Sequence, residues 1–315
     1  MCRVSSAVRH RLINFLQSLG LLAAMGGMAW IIVATIAGPE VTAAIIIGSV
    51  IGMMLLPSLP KDALLMAHRA KRITGEQFPE GVGTLAELSR RAALPRVPSL
   101  YYIPSKLPNA FAVGSPEDSA ICVSDGLLRL LDLRELSGVL AHEISHIAHN
   151  DLWIMGLADV MSRAVSIASW IGQFLLILNL PLVVSGQAYI PWHIPLLLVF
   201  SPTIMALMQL ALSRTREYDA DHGAASLTGD PDGLASALSK LERKTGRFWE
   251  DIVLPGRRIP QPSLLRTHPP TEERIRRLRE IRNLAPRPRM PGALIEYPVR
   301  DDLAPPRFGK FGFFQ

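Results

Sequence analysis

The run Ala164–Ser213, AVSIASWIGQFLLILNLPLVVSGQAYIPWHIPLLLVFSPTIMALMQLALS, contains no Asp, Glu, Lys or Arg. Pro181, Ser185-Gly186-Gln187 and Pro191 interrupt it, and His193 is its only group that titrates near neutral pH. Its halves, roughly 164–184 and 194–212, are each about 30 Å long as helices, the thickness of the hydrocarbon core of a bilayer. Two more charge-free runs, Leu12–Pro39 and Val41–Pro60, precede it, although apolar residues thin out after Leu56 in the second. Buried helices of a large soluble protein are the alternative, but four such stretches exceed what one core needs. The chain therefore reads as a multi-pass α-helical membrane protein with four spans in two hairpins.

Composition points the same way. Apolar residues make up 49% of the 315 positions and charged residues 19%, against a usual charged share of about 25%. Intrinsic disorder is excluded, because there is ample apolar surface to bury. Cys2 and Cys122 are the only cysteines, which excludes a disulfide scaffold and a cysteine-based zinc site. A net charge of +6 permits either a nucleic-acid binder or a membrane protein, and its distribution decides. Basic residues lie before the first run (Arg3, Arg9, Arg11), after the second (Lys61, Arg69, Lys71, Arg72), before the third (Arg163) and after the fourth (Arg214, Arg216). The loops around Gly38-Pro39-Glu40 and 185–193 carry no Lys or Arg. By the positive-inside rule both termini and both hydrophilic blocks face the cytoplasm, and no nucleic acid is needed to explain the charge. The first run is too long for the apolar core of a signal peptide, about 7–15 residues, so it reads as part of an uncleaved hairpin.

Five segments follow: an N-terminal tail and hairpin (1–60), a hydrophilic block (61–163), a second hairpin (164–213), a second hydrophilic block (214–284) and a Pro-rich tail (285–315). In the first block Thr84 with Glu87 has the pattern of a capping box opening a helix over about 84–93. Strands are expected at Ser99–Ile103, Ala110–Val113 and Ala120–Val123. Asp132 with Glu135 caps a helix running to about His149. In the second block helices are expected from Asp230-Pro231 to about Lys244 and from Thr271 to about Arg282, with a Pro- and Gly-bearing loop over 251–266.

The helix capped by Asp132 carries His142-Glu143-Ile144-Ser145-His146. A spacing of four puts both imidazoles on one face, one turn apart, where they can share a metal ion. Glu143 projects beside them, placed to take a proton from an attacking water. Val139, Leu140, Ala141, Ile144, Ile147 and Ala148 flank them, so the helix is buried, and two histidines and a glutamate there are costly without partners. A third ligand is needed. The metzincin pattern requires Gly at 149 and His at 152, but the residues are His149 and Leu152. His149 lies within reach one turn beyond His146, yet it reads more simply as a helix C-terminal residue favoured by the macrodipole. Glu217 offers a carboxylate, and Asp221, one turn on, a second that can accept the free ring N–H of a ligating histidine. Standing alone, that pair reads as a solvated acidic face beside Arg214 and Arg216.

Taken together, His142-Glu143-x-x-His146 and Glu217-x-x-x-Asp221, with two hydrophobic segments between, resemble the HtpX-type membrane zinc endopeptidases. These are relatives of the CAAX prenyl proteases within the gluzincins. Asn109-Ala110-Phe111-Ala112-Val113-Gly114 and Thr267-His268-Pro269-Pro270-Thr271-Glu272-Glu273-Arg274-Ile275 match segments of the same family. The likeness runs from the first hairpin to about residue 283; His149 and the tail lie outside the pattern.

The resemblance implies a mainly helical α+β gluzincin-like (zincin) protease domain built from the two hydrophilic blocks. It implies one Zn²⁺ held by His142, His146 and Glu217, with water in the fourth position and Glu143 as general base and then proton donor to the leaving amine. Asp221 is implied as the partner of a zinc histidine, and His268 with Arg274 as oxyanion support. Asn109, Ala110 and Phe111 are implied in the strand that pairs with an extended substrate. The implied role is stress-linked quality control of damaged or misfolded membrane proteins at a bacterial inner membrane, with polypeptides and the lipid bilayer as partners. Dedicated, CAAX-like processing of one substrate class is the alternative within the same chemistry. A non-catalytic membrane adaptor is the alternative outside it, and Glu143 argues against that, since a structural metal site has no use for a general base. A transporter is disfavoured because the spans lack charged residues. One inference needs no family: Glu217 lies four residues after Ser213, about 6 Å along a helix, so the site belongs at the bilayer surface.

Overall fold

The computed structural model describes residues 2–38, 40–44, 47, 61–187, 191, 193–253 and 271–284. In chain order its helices are α1 (Cys2–Ala37), α2 (Lys61–Ala67), α3 (Pro79–Arg91), α4 (Asp125–Leu130), α5 (Leu133–Ala148), α6 (Asp151–Val184), α7 (His193–Thr228), α8 (Pro231–Val253) and α9 (Thr271–Leu284). Its strands are β1 (Lys71–Arg72), β2 (Ser99–Ile103), β3 (Ala110–Ser115) and β4 (Asp118–Ser124). Two compact units result. One comprises Met1–Ser58, Asp151–Asp219 and Leu265–Pro269; the other comprises Leu59–Asn150, Ala220–Leu264 and Pro270–Gln315.

The first unit is made of long apolar helices. Leu16–Thr35 within α1, and helices α6 and α7, are long and apolar enough to cross a membrane. They pack through Met25, Ala29 and Ile32 of α1, Ala158 and Val165 of α6, and Met205 and Leu212 of α7. Their remaining faces expose Trp170, Phe174, Ile177, Val184 and Phe200. Water disfavours such a surface, whereas acyl chains accept it. Pro202 lies inside α7 and has no N–H, so the carbonyl of Leu198, four residues back, loses its helical donor. Ser169 Oγ and Gln173 Nε2 of α6 donate to that oxygen instead. The run Val41–Pro60, expected to be the second span, lies for the most part outside the described residues, as do the loop after Val253, His268 and the tail after Leu284.

The second unit is a small mixed sheet packed with helices. Strand order is β1-β2-β4-β3, with β2 and β4 parallel and the outer pairs antiparallel. Gly114 has φ +98°, and a Cβ there would sit 2.1 Å from the carbonyl oxygen of Asp118. Only glycine closes this β3–β4 turn. Ile121 and Val123 of β4 form one core with Leu85 and Leu88 of α3, Leu136, Leu140 and Ile144 of α5, and Leu234 and Ala237 of α8.

Helix α5 starts as its sequence dictates: Asp132 accepts from the Glu135 N–H and Glu135 accepts from the Asp132 N–H. Glu135 is buried, and its carboxylate also accepts from Ser236 Oγ (2.6 Å) and Lys240 Nζ (2.7 Å) of α8. Burial pushes this carboxyl up, but the bonds from Lys240, Ser236 and the Asp132 N–H outweigh it and hold it below its ordinary range. At the other end His149 is the C-cap, and Asn150 follows with φ 55°, a left-handed position that asparagine tolerates.

The Thr84–Glu87 box is not used. Helix α3 begins five residues earlier, at Pro79, and Phe78 makes no side-chain cap. Proline at the first turn supplies the helical φ, and Leu85 and Leu88 give the segment a buried face. Glu87 instead binds Arg90 and Arg91. Those guanidiniums draw its carboxyl down to about 2.

Candidate metal centre

Helices α5 and α7 carry the residues singled out from sequence. Their contribution begins with spacing: His142 and His146, one turn apart on α5, meet edge to face with ring centroids 4.6 Å apart. Their Nε2 atoms face each other at 3.1 Å. His142 Nδ1 lies 3.1 Å from Asp221 Oδ1, and the Nε2 of His142 faces His146. One ligand atom from each of His142, His146 and Glu217 lies within 4.8 Å of the others.

The donor set fits zinc. Two imidazole nitrogens and a carboxylate oxygen are the ligand types of a three-protein-ligand catalytic zinc site. Two nitrogens bound at about 2.0–2.1 Å in a tetrahedron stand roughly 3.3 Å apart, close to the 3.1 Å between the two Nε2 atoms. His142 and Glu217 are buried while His146 and Glu143 are partly accessible, so the cluster has an open side at α5. His149 is exposed on the C-cap, with Nδ1 3.5 Å from Ser145 Oγ.

Arg274, on α9, is buried and grips Asp221 with two bonds, Nε to Oδ2 at 2.8 Å and Nη2 to Oδ1 at 2.7 Å. The guanidinium keeps Asp221 charged and fixed beside His142. The family resemblance implied Arg274 with His268 as oxyanion support; in the structure Arg274 lies against Asp221, and His268 is outside the described residues. Its neighbours behave differently: Arg276 and Arg277 are on the outside and bind Glu273.

Strand β3 carries the expected substrate segment. Asn109 precedes it, its N–H donating to Ser124 Oγ (2.8 Å) and its carbonyl accepting from the Ser124 N–H (3.0 Å). Ala110 pairs with Val123 and Phe111 with Cys122. Among the described residues β3 has a strand on one side only, and the strand packs near α5. Cys122, beneath it, is fully buried. Burial and the charge of Glu143 push its thiol up to about 12, so it stays an uncharged, inert packing group.

Two residues near the cluster were not legible in the sequence. Arg216, read there only as a basic flank, is buried between Asp151 (3.1 Å) and Asp219 (2.7 Å) on either side. The signal was a carboxylate opening α6 directly after the left-handed Asn150. Gly223, in mid-helix, carried no sequence signal at all.

A match to the model of Peptidase family M48 covers residues 80–282. A protease HtpX homolog of Desulfatibacillum aliphaticivorans is 35% identical over 285 residues, 84% of this chain and 89% of that protein. One from Paraburkholderia phytofirmans is 33% identical over 285 residues, 85% and 97% of the two chains. One from Pyrococcus abyssi is 36% identical over 241 residues, 70% and 80%.

Proposed function

This chain belongs to Peptidase family M48 and is a metalloprotease of the HtpX type. From that premise we propose that it is a multi-pass, membrane-anchored zinc endopeptidase with a gluzincin-like domain. In this reading it hydrolyses polypeptides at the cytoplasmic surface of a bacterial inner membrane. The observation that carries the reading is the convergence of His142, His146 and Glu217, with Glu143 on the helix turn between the histidines. Charge placement supports the orientation: the basic residues flank the spans on one side only.

His142, His146 and Glu217 would hold the zinc. When bound, the ion acts as a Lewis acid toward the scissile carbonyl and makes water a stronger acid. Glu143 accepts a proton from the attacking water as its oxygen bonds to the carbonyl carbon. It then delivers that proton to the amine nitrogen as the C–N bond breaks, so the acid and amine products balance the water consumed. Asp221 holds His142 in the tautomer that leaves Nε2 free, and Arg274 holds Asp221. Residues Asn109–Phe111 offer an extended substrate a strand edge; main-chain pairing of that kind selects shape more than sequence. Loose selectivity of this sort suits damaged or misfolded membrane proteins, whose sequences vary. The five segments of the chain then serve one enzyme, with two hairpins anchoring a catalytic domain split between 61–163 and 214–284.

The test is hydrolysis of an unfolded, casein-like chain by purified protein with its zinc quantified. Wild type is expected to cut and Glu143→Gln to retain zinc while losing about a thousandfold in rate. Equal rates would sink the mechanism. A wild type that ignores such chains but cuts one defined peptide would favour dedicated processing.

A further inference from the structure

Helices α5 and α7 come very close at Gly223. A Cβ built on Gly223 would sit 1.9 Å from Ser145 Oγ and 2.9 Å from Ser145 Cβ, closer than any side chain tolerates. Ser145 is itself buried and belongs to the same turn as His142 and His146. Gly223 lies inside α7, where glycine is the least favourable residue after proline. Its φ is not positive, unlike that of Gly114 or Gly229, so turn geometry does not explain it. What glycine supplies here is proximity. Two residues before it, Asp221 reaches His142 at 3.1 Å, and the buried Ala220 and Ala224 flank it on the same helix.

We propose that Gly223, packed on Ser145, is a positioning residue of the zinc site: it lets α7 approach α5 closely enough for the Asp221 carboxylate to face His142 Nδ1 at 3.1 Å. It touches neither substrate nor metal and acts through the Asp221–His142 contact. An added methyl, meeting both Oγ and Cβ of Ser145, pushes the helices apart and lengthens that contact beyond hydrogen-bonding reach. The histidine then loses its fixed tautomer and orientation, for which losses of 10–100-fold in metal affinity are typical. The inference rests on the zinc reading above and concerns how this chain builds that site.

The experiment measures zinc affinity by competition with a chelator, together with Tm, on full-length protein in detergent. The variants are Gly223→Ala, Ser145→Gly, the double variant, and His142→Ala. Gly223→Ala is expected to weaken zinc binding about 10-fold or more. Ser145→Gly is expected to stay within threefold of wild type, and the double variant to recover most of the loss because the clash is gone. A purely structural glycine would lower Tm in Gly223→Ala without moving the zinc affinity of the folded protein, and that result overturns the inference. So does a double variant no better than Gly223→Ala. If Gly223→Ala does not accumulate, Ser145→Val crowds the same crossing from the other side and is expected to show the same loss; unchanged affinity there counts against the inference. His142→Ala separates the levels. If it loses zinc while Gly223→Ala does not, only this inference falls; if it binds zinc like wild type, the metal reading falls and this inference with it.

Discussion

Helix α7 turns Leu196, Val199, Phe200 and Leu207 outward, each more than half exposed, and then buries Arg216, Glu217, Asp221 and Thr228 in its last turns. The backbone is one unbroken helix from His193 to Thr228, so the contrast lies entirely in the side chains. The first half has apolar groups outside, the arrangement for a lipid solvent. The second half has charges inside, and partners offset the burial of two of them: Arg216 with Asp151 and Asp219, Asp221 with Arg274 and His142. In this account one helix serves as anchor along one half and as metal-site scaffold along the other.

Breaking the second half should cost most. Glu217→Ala is expected to drop zinc from one per chain to near none and proteolysis to background, read by elemental analysis and hydrolysis of an unfolded chain. Zinc persisting at one per chain would reject Glu217 as a ligand. Next comes Arg274→Met, which leaves the Asp221 carboxylate buried without its guanidinium. Loss of one member of a buried pair typically costs about 3–5 kcal/mol, so a clear fall in Tm is expected. A change below about 1 kcal/mol would mean that Asp221 is held by other contacts.

The first half is tested by charge. Phe200→Arg places a cation on the outward apolar face, where a charged residue near the centre of a span costs roughly 2.5–3.5 kcal/mol of insertion. A smaller fraction of carbonate-resistant, membrane-inserted protein is expected, with Phe200→Leu unchanged. Equal insertion of Phe200→Arg would contradict a lipid-facing surface.

The smallest effect concerns α5, against which the second half of α7 works. Glu135 ties the start of α5 to α8, and its folded carboxyl is held below its ordinary value of 4.5. A group depressed in the folded state stabilises fully above its unfolded pKa and loses that contribution as pH falls through the folded value. Acidification below about pH 4.5 should therefore lower the Tm of wild type more steeply than that of Glu135→Gln. Parallel Tm–pH curves would remove Glu135 from the account.

What was legible in the sequence follows the same division. Apolar runs announced the long helices, because absence of charge over twenty residues is a one-dimensional signal. Their ends were less legible: α6 begins at Asp151 and α7 runs on to Thr228, since charged residues with buried partners continue a helix as well as apolar ones do. The strands and the Asp132–Glu135 cap were readable from local chemistry. Helix α3 was misplaced because a Thr-x-x-Glu pattern competes poorly with a proline start and a buried face. Helices α2 and α4 and strand β1 were too short to show a period. His142, Glu143 and His146 stood out because metal chemistry fixes residue types and spacings; Glu217 and Asp221 stood out only beside them and through the family resemblance, and His142, His146 and Glu217 lie together in the structure. Gly223, the Arg216 network and the grip of Arg274 on Asp221 depend on contacts between segments distant in sequence, and no spacing rule records those.

The central claim is that α7 carries a zinc peptidase site at the bilayer surface, Glu217 lying four residues, about 6 Å of helix, beyond Ser213. The most direct measurement reconstitutes the protein in liposomes with a single-span substrate whose unfolded cytoplasmic chain emerges from the bilayer, and maps the cuts by mass spectrometry. The account expects cuts concentrated in the first residues after the span, shifting outward when a rigid helical spacer is inserted there and absent with Glu143→Gln. Cuts spread evenly along the chain, regardless of the distance from the membrane, would contradict it.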